Sequence, residues 1–219
     1  MKPNAFMFAL TADQVASRSG EDRVPAALAA LQTSLDSRTV LAFERTAGDE
    51  IQGLCAEPDA VVDAVAQLTR LGGWRIGIGA GGVDTPLPDS TREARGGAYL
   101  AAREAIALAR SSPTELALAV ADPEGTVSAG RYGGRAPQVD DAETALWLLR
   151  GVLERRSKEG WELVDLLDSG LSNAQAASAL GISPSAASQR LSRAYRVEAE
   201  RGAVLASRLL ARLPEAVWQ

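Results

Sequence analysis

Histidine is missing from all 219 residues. A Ser-His-Asp triad, a Cys-His pair and any His-ligated zinc site are therefore excluded together, and chemistry would have to use carboxylates, hydroxyls, lysine or arginine. Cysteine occurs once, at Cys55, so no internal disulfide can form; a lone thiol reads as a core residue in a reducing compartment rather than as a nucleophile. Long apolar runs are also missing. No stretch approaches the ~20 residues that cross a bilayer, and nothing near the start has a basic segment followed by an apolar run of the signal-peptide kind. The expectation is a soluble, unprocessed cytoplasmic protein with no membrane partner.

Hydrophobic residues make up 46% of the chain and charged residues 23%, enough for one good core or two small ones at domain sizes of roughly 100–150 residues. The net charge of −5 is unpromising for a nucleic-acid binder until it is divided. From Asp141 onward there are ten basic and ten acidic residues, so all of the acidic excess lies before that point. Local placement of charge decides affinity for DNA more than the total does.

Ala5 to Ala12 reads as a buried strand ending at a polar loop, Asp13 to Arg18, and a helix with Leu28, Leu31 and Leu35 on one face follows. Val40 to Arg45 and Ile51 to Cys55 read as two strands joined by a tight Gly48-Asp49 turn, a hairpin with carboxylates at its tip. Val61, Val62, Val65 and Leu68 recur at helical spacing before Gly72-Gly73, as at a helix C-terminus. Trp74 to Gly79 reads as a strand, the Gly/Pro-rich 80–90 segment as a loop, Gly97 to Arg110 as a helix and Leu116 to Val120 as a last strand before a linker over 122–137. The order βαββαβαβ predicts an α/β domain over 1–137 with helices covering a sheet. Beyond Pro137 only helical patterns remain, at 141–156, 161–169, 173–180, 184–196 and 199–213, so 138–219 is expected to be all-helical.

Inside that helical region, Ser172-Asn173-Ala174-Gln175 fits a capping box. The helix it starts carries small Ala176 and Ala177 and ends at Leu180-Gly181, after which Ile182 and the Ser183-Pro184 pair begin a second helix abruptly. Two short helices about a glycine turn predict a helix-turn-helix over 172–196. Ala187, Leu191 and Ala194 form its inward stripe, leaving Ser185, Ala186, Ser188, Gln189, Arg190, Ser192 and Arg193 outward, with Arg196 at the end. Such a face suits a major groove, since Gln pairs with adenine, Arg with guanine, and remaining cations neutralise phosphates. Ser172 and Asn173, at a helix N-terminus, would hold a phosphate. The stretch from Trp161 through Leu191 resembles the helix-turn-helix of region-4-type sigma factors and their LuxR-like relatives, which implies binding to double-stranded DNA. One small recognition helix makes few contacts, so a homodimer reading two half-sites is expected. The last helix, with Val204, Leu205, Leu209 and Leu213, would pack onto a second copy or within its own domain.

In the first domain, Thr11 to Arg18, Ala47 to Gly53 and Arg75 to Gly79 resemble the three signature stretches of the SatD family. They are more distantly similar to the palm domains of class III nucleotidyl cyclases and GGDEF proteins, which implies a palm-like, ferredoxin-like α+β fold. The resemblance puts Asp13 and Asp49 at metal positions, with Mg²⁺ the implied ion, and Glu50 and Arg103 beside a nucleotide. Two departures count against turnover: Tyr99 stands where the cyclase stretch has asparagine, and Ala47 replaces the leading glycine of the hairpin. The expectation is a DNA-binding transcriptional regulator that needs no cofactor, its palm-like domain serving dimerisation or the sensing of a nucleotide effector. The alternative is a metal-dependent, cyclase-like enzyme with a DNA-binding tail. Ala80-Gly81-Gly82 reads as a flexible hairpin loop rather than a phosphate cradle, and without a following lysine and Ser/Thr it is no P-loop.

Overall fold

Strand β1, Phe6–Gln14, is buried on both faces. Side chains alternate along a strand, so Phe8, Leu10 and Ala12 enter one core while Ala9 enters another, and the sheet must be covered on both sides. The computed structural model describes residues 5–15, 20–129 and 136–218; Ala16 to Ser19 and 130–135 of the expected linker lie outside the described residues. After β1 come α1 (Val24–Leu35), a 3₁₀ turn (Asp36–Arg38), β2 (Leu41–Ala47), β3 (Glu50–Cys55), α2 (Pro58–Leu71), β4 (Trp74–Gly82), α3 (Gly97–Ala109), β5 (Leu116–Ala121) and the short β6 (Val127–Ser128). The sheet runs β2-β3-β1-β4-β5-β6, with only the β4–β5 pair parallel. This is a mixed α/β architecture, followed by helices α4 (Pro137–Leu153), α5 (Lys158–Asp168), α6 (Asn173–Ala179), α7 (Pro184–Arg193), α8 (Arg196–Leu210) and α9 (Leu213–Val217).

The 80–90 segment departs from expectation. Strand β4 continues through Ala80, Gly81 and Gly82, which pair with Phe8, Met7 and Phe6 of β1, so these glycines belong to the sheet and not to a hairpin loop. The reason is helix α3. A Cβ added at Gly79 would lie 2.1 Å from both the Ala102 N and the Ala98 O, and one at Gly77 would lie 2.4 Å from the Ile106 N. The helix meets them with Ala98, Ala101, Ala102, Ala105 and Ala109, all buried. Glycine in β4 is thus required by the close approach of another backbone, a demand that local sequence cannot reveal.

The opposite face carries the main core, where Phe8, Leu10, Ile51, Trp74, Ile76 and Ile78 meet α1 and α2. Helices beyond Pro137 join the same core: Val139, Ala142, Leu146 and Leu149 of α4, Ala206 and Leu210 of α8, and Leu213 at the start of α9. Because β6 pairs only with Val120 and Ala121, the start of β5 would be an unprotected edge, and exposed edges invite unwanted pairing. Helix α4 covers it with a row of polar side chains. Glu143 accepts from the Leu118 N–H (2.8 Å), Trp147 Nε1 donates to the Leu116 carbonyl (2.7 Å), and buried Arg150 donates to the carbonyls of Glu115 (3.1 Å) and Trp74 (2.5 Å). Among the described helices beyond Pro137, α5, α6 and α7 share a separate small core, built on Leu163, Ala176, Ala177 and Ala187.

Candidate nucleic-acid interface and ligand cleft

Each boundary of the α6–α7 pair has a local cause. The Ser172 hydroxyl accepts from the Gln175 N–H at 3.3 Å, while the Gln175 side chain accepts from the Ser172 N–H at 2.9 Å, closing both halves of a capping box. Gly181 adopts φ of +64° in the turn. The Ser183 hydroxyl then accepts from the Ala186 N–H at 3.1 Å, with Pro184 in the first turn. Helix α7 packs on α5 and α6 through buried Ala187 and half-buried Leu191, and Ala194 just beyond its end is buried as well. Ser185, Ala186, Ser188, Gln189, Ser192 and Arg193 are exposed, and Arg190 is half-buried.

Not all of the expected contacts remain available on that face. Ser188 donates to the Pro184 carbonyl (3.0 Å) and lies 3.3 Å from the Asn173 amide nitrogen, so both side chains brace α6 against α7. Arg196 bridges Asp168 (2.8 Å) and Glu200 (3.0 Å), and its charge is already compensated. Arg190 and Arg193 make no ion pair among the described residues. Together with Arg155, Ser157, Glu159 and Gln189 they line a groove of ≈ 460 Å³.

The orientation of this unit on the sheet half is set by a stack of two guanidinium groups and one indole. The Arg70 and Arg156 guanidinium carbons sit 4.9 and 4.2 Å from the Trp161 ring centroid, a favourable arrangement for cation and aromatic face. Arg70, at the end of α2, also grips Asp165 of α5 through two bonds of 2.8 and 2.6 Å, and Arg156 Nε donates to the Ala194 carbonyl.

A second site lies on the α3 side of the sheet. Opposite residues across β1 and β3 share a face, which brings Thr11 beside Gln52 and Asp13 beside Glu50; the Gln52 amide donates to the Thr11 hydroxyl at 2.8 Å. The hairpin turn has a positive φ of +53° at Gly48. Thr46, Glu50, Gln52 and Thr11 lie along a cleft of ≈ 760 Å³ whose further lining includes Arg92, Arg95, Tyr99 and Arg103. The cleft therefore brings together Glu50 and Arg103, the two positions expected beside a nucleotide.

Asp13 and Asp49, the expected metal positions, are not among its lining residues. Both Asp13 oxygens accept from Arg75 Nη1 at 3.1 Å. Burial pushes the Asp13 carboxyl above its ordinary pKa, outweighing the opposing pull of Arg75. A divalent cation at Asp13 would have to displace that guanidinium. Arg92 and Arg95 escape the motif analysis because they sit in an aperiodic loop; the available cue is their place immediately before the Gly96-Gly97 start of α3. No family model matches the chain, and no curated protein matches it.

Proposed function

We propose that the chain is a DNA-binding transcriptional regulator whose α5–α6–α7 unit is a helix-turn-helix, with α7 entering the major groove. The observation that carries this reading is the outward face of α7, where Gln189 and Arg193 are exposed on a helix that buries only Ala187 fully. Gln189 and Arg193 would supply base-edge chemistry, while Arg155 and Arg190, which line the same groove, and the exposed Lys158 at the start of α5 would contact phosphates. Action as a homodimer follows from the small contact area of one such unit, two half-sites about 34 Å apart giving the needed avidity.

The sheet half is proposed as a SatD-type, palm-like scaffold that carries dimer contacts and senses a nucleotide effector. What supports this is the antiparallel order β2-β3-β1-β4 produced by a βαββαβ chain, the connectivity of ferredoxin-like domains. The test is retention on a pool of genomic fragments. The double variant Arg190→Ala/Arg193→Ala should lose at least about tenfold in affinity, and the slope of log affinity against log salt should fall by about one, for the phosphate contact of Arg190. Unchanged retention by a folded double variant would overturn the proposal.

A further inference from the structure

Several arginines of this molecule are already paired. Arg38, Arg45, Arg70, Arg75 and Arg196 each pair with a carboxylate. Arg92, Arg95 and Arg103 make no ion pair among the described residues, yet all three line the ≈ 760 Å³ cleft on the α3 side of the sheet. The Arg92 guanidinium donates to the Arg45 carbonyl beside Glu44, whereas Arg95 and Arg103 make no side-chain hydrogen bond among the described residues; all three are exposed, with donors open to an anion shared among them.

We infer that this cleft binds a small polyanion, a molecule carrying two or more linked phosphates, and does so without a divalent cation. The proposal rests on the sensing role given above to the sheet half and not on DNA binding. Guanidinium groups are the side chains that grip phosphate oxygens in pairs. Helix α3 adds a second contribution, because Gly96 and Gly97 line the cleft and the helix start has no side-chain cap; its first N–H groups face the place where an anion is stabilised.

The spacing argues for a chain of phosphates. Arg95 precedes the helix and Arg103 lies six residues beyond Gly97, about 9 Å further along the axis at 1.5 Å per residue, so the cationic lining extends over more than one helix turn and has room for linked phosphates. The acids in the lining do not reverse the balance. Glu50 is bonded to the Thr46 hydroxyl at 2.5 Å, and the lining carries Glu50 and Asp84 against three arginines, with Glu44 beside Arg92 just outside it. Gln52, Thr11 and Tyr99 provide amide and hydroxyl groups for the remainder of the ligand, and the volume falls within the roughly 300–1,000 Å³ common for small-molecule sites. The guanidinium groups supply the countercharge that Mg²⁺ often provides, and Asp13, paired with Arg75, is not among the lining residues.

Isothermal titration calorimetry of the full chain, with sodium triphosphate and with ATP as probes and EDTA present throughout, tests this. Binding of at least one probe is expected, weakened at least about tenfold by Arg95→Ala and by Arg103→Ala. Arg103→Lys should fall between, because it keeps charge and loses the fork. ATP binding more tightly than triphosphate identifies a nucleotide as the source of the phosphates; equal affinity identifies the phosphate chain alone, and either result supports the site. Unchanged melting temperature of the variants separates loss of the site from loss of the fold. Absence of binding by both probes in EDTA, a requirement for Mg²⁺, or full affinity in a folded Arg95→Ala/Arg103→Ala double variant would overturn the inference. Failure of DNA retention with calorimetric binding intact would count against the regulator proposal alone.

Discussion

Helix α3 and helix α7 each border an arginine-lined hollow and are held in opposite ways. Helix α3 meets β4 through glycine and alanine so closely that no Cβ fits at Gly77 or Gly79, and five of its alanines are buried. Helix α7 buries Ala187 alone completely and depends on caps and a glycine turn for its place. The first is fixed by long-range packing, the second by local signals. Helix α7 thus leaves most of its surface in solvent, whereas α3 forms a wall of the sheet.

Substitutions should separate the two regimes. The largest effect is expected for Gly79→Ala, because the added methyl would meet backbone atoms of α3 that cannot move aside; a loss of at least about 3 kcal/mol in denaturant unfolding is predicted. A loss under about 1 kcal/mol would show that α3 is less firmly seated than its contacts imply. Arg150→Ala comes next. It strands the buried Trp74 carbonyl and removes one of the side chains that covers the β5 edge, which should cost about 2 kcal/mol, again read by denaturant unfolding.

On the α7 side, Gly181→Ala places a side chain at φ of +64° with nothing within 4 Å of the new Cβ. The penalty is conformational only, about 1 kcal/mol, and should appear as faster amide exchange confined to α6 and α7. Exchange spread through the sheet would erase the distinction between the two regimes.

The same contrast explains what was legible in the sequence. The capping box at Ser172 and Gln175, the turn at Gly181 and the Ser183-Pro184 start are readable because each is satisfied within a few residues of itself. The succession of strands and helices along the chain and the Gly48-Asp49 hairpin were legible for a related reason, since alternation and turn chemistry are local. Gly81 and Gly82 were not, because glycine reads as a loop until the helix crossing it is known. Nor could composition show that α4 and α8 share the core of the sheet, or that Arg75 pairs with Asp13 across neighbouring strands and Arg196 with Asp168 from another helix. The cleft was half legible: Glu50 and Arg103 lie in recognisable stretches, while Arg92 and Arg95 join them only through the path of the loop before α3.

The smallest change is expected at Cys55. Burial pushes its thiol up to about 12, so at pH 8 labelling by a thiol reagent should run at least about a thousandfold slower than in the unfolded chain. Gly181→Ala should leave that protection intact, and Gly79→Ala should erode it. Protection lost in both would mean that the α5–α7 unit and the sheet unfold together.

Hydrogen exchange on the full chain, with and without a bound pool of genomic DNA fragments, tests the central claim most directly. The account predicts slowing concentrated in α7 and at the start of α6, with the strands unchanged. Retained DNA with slowing confined to the sheet half, and none in α7, would contradict it.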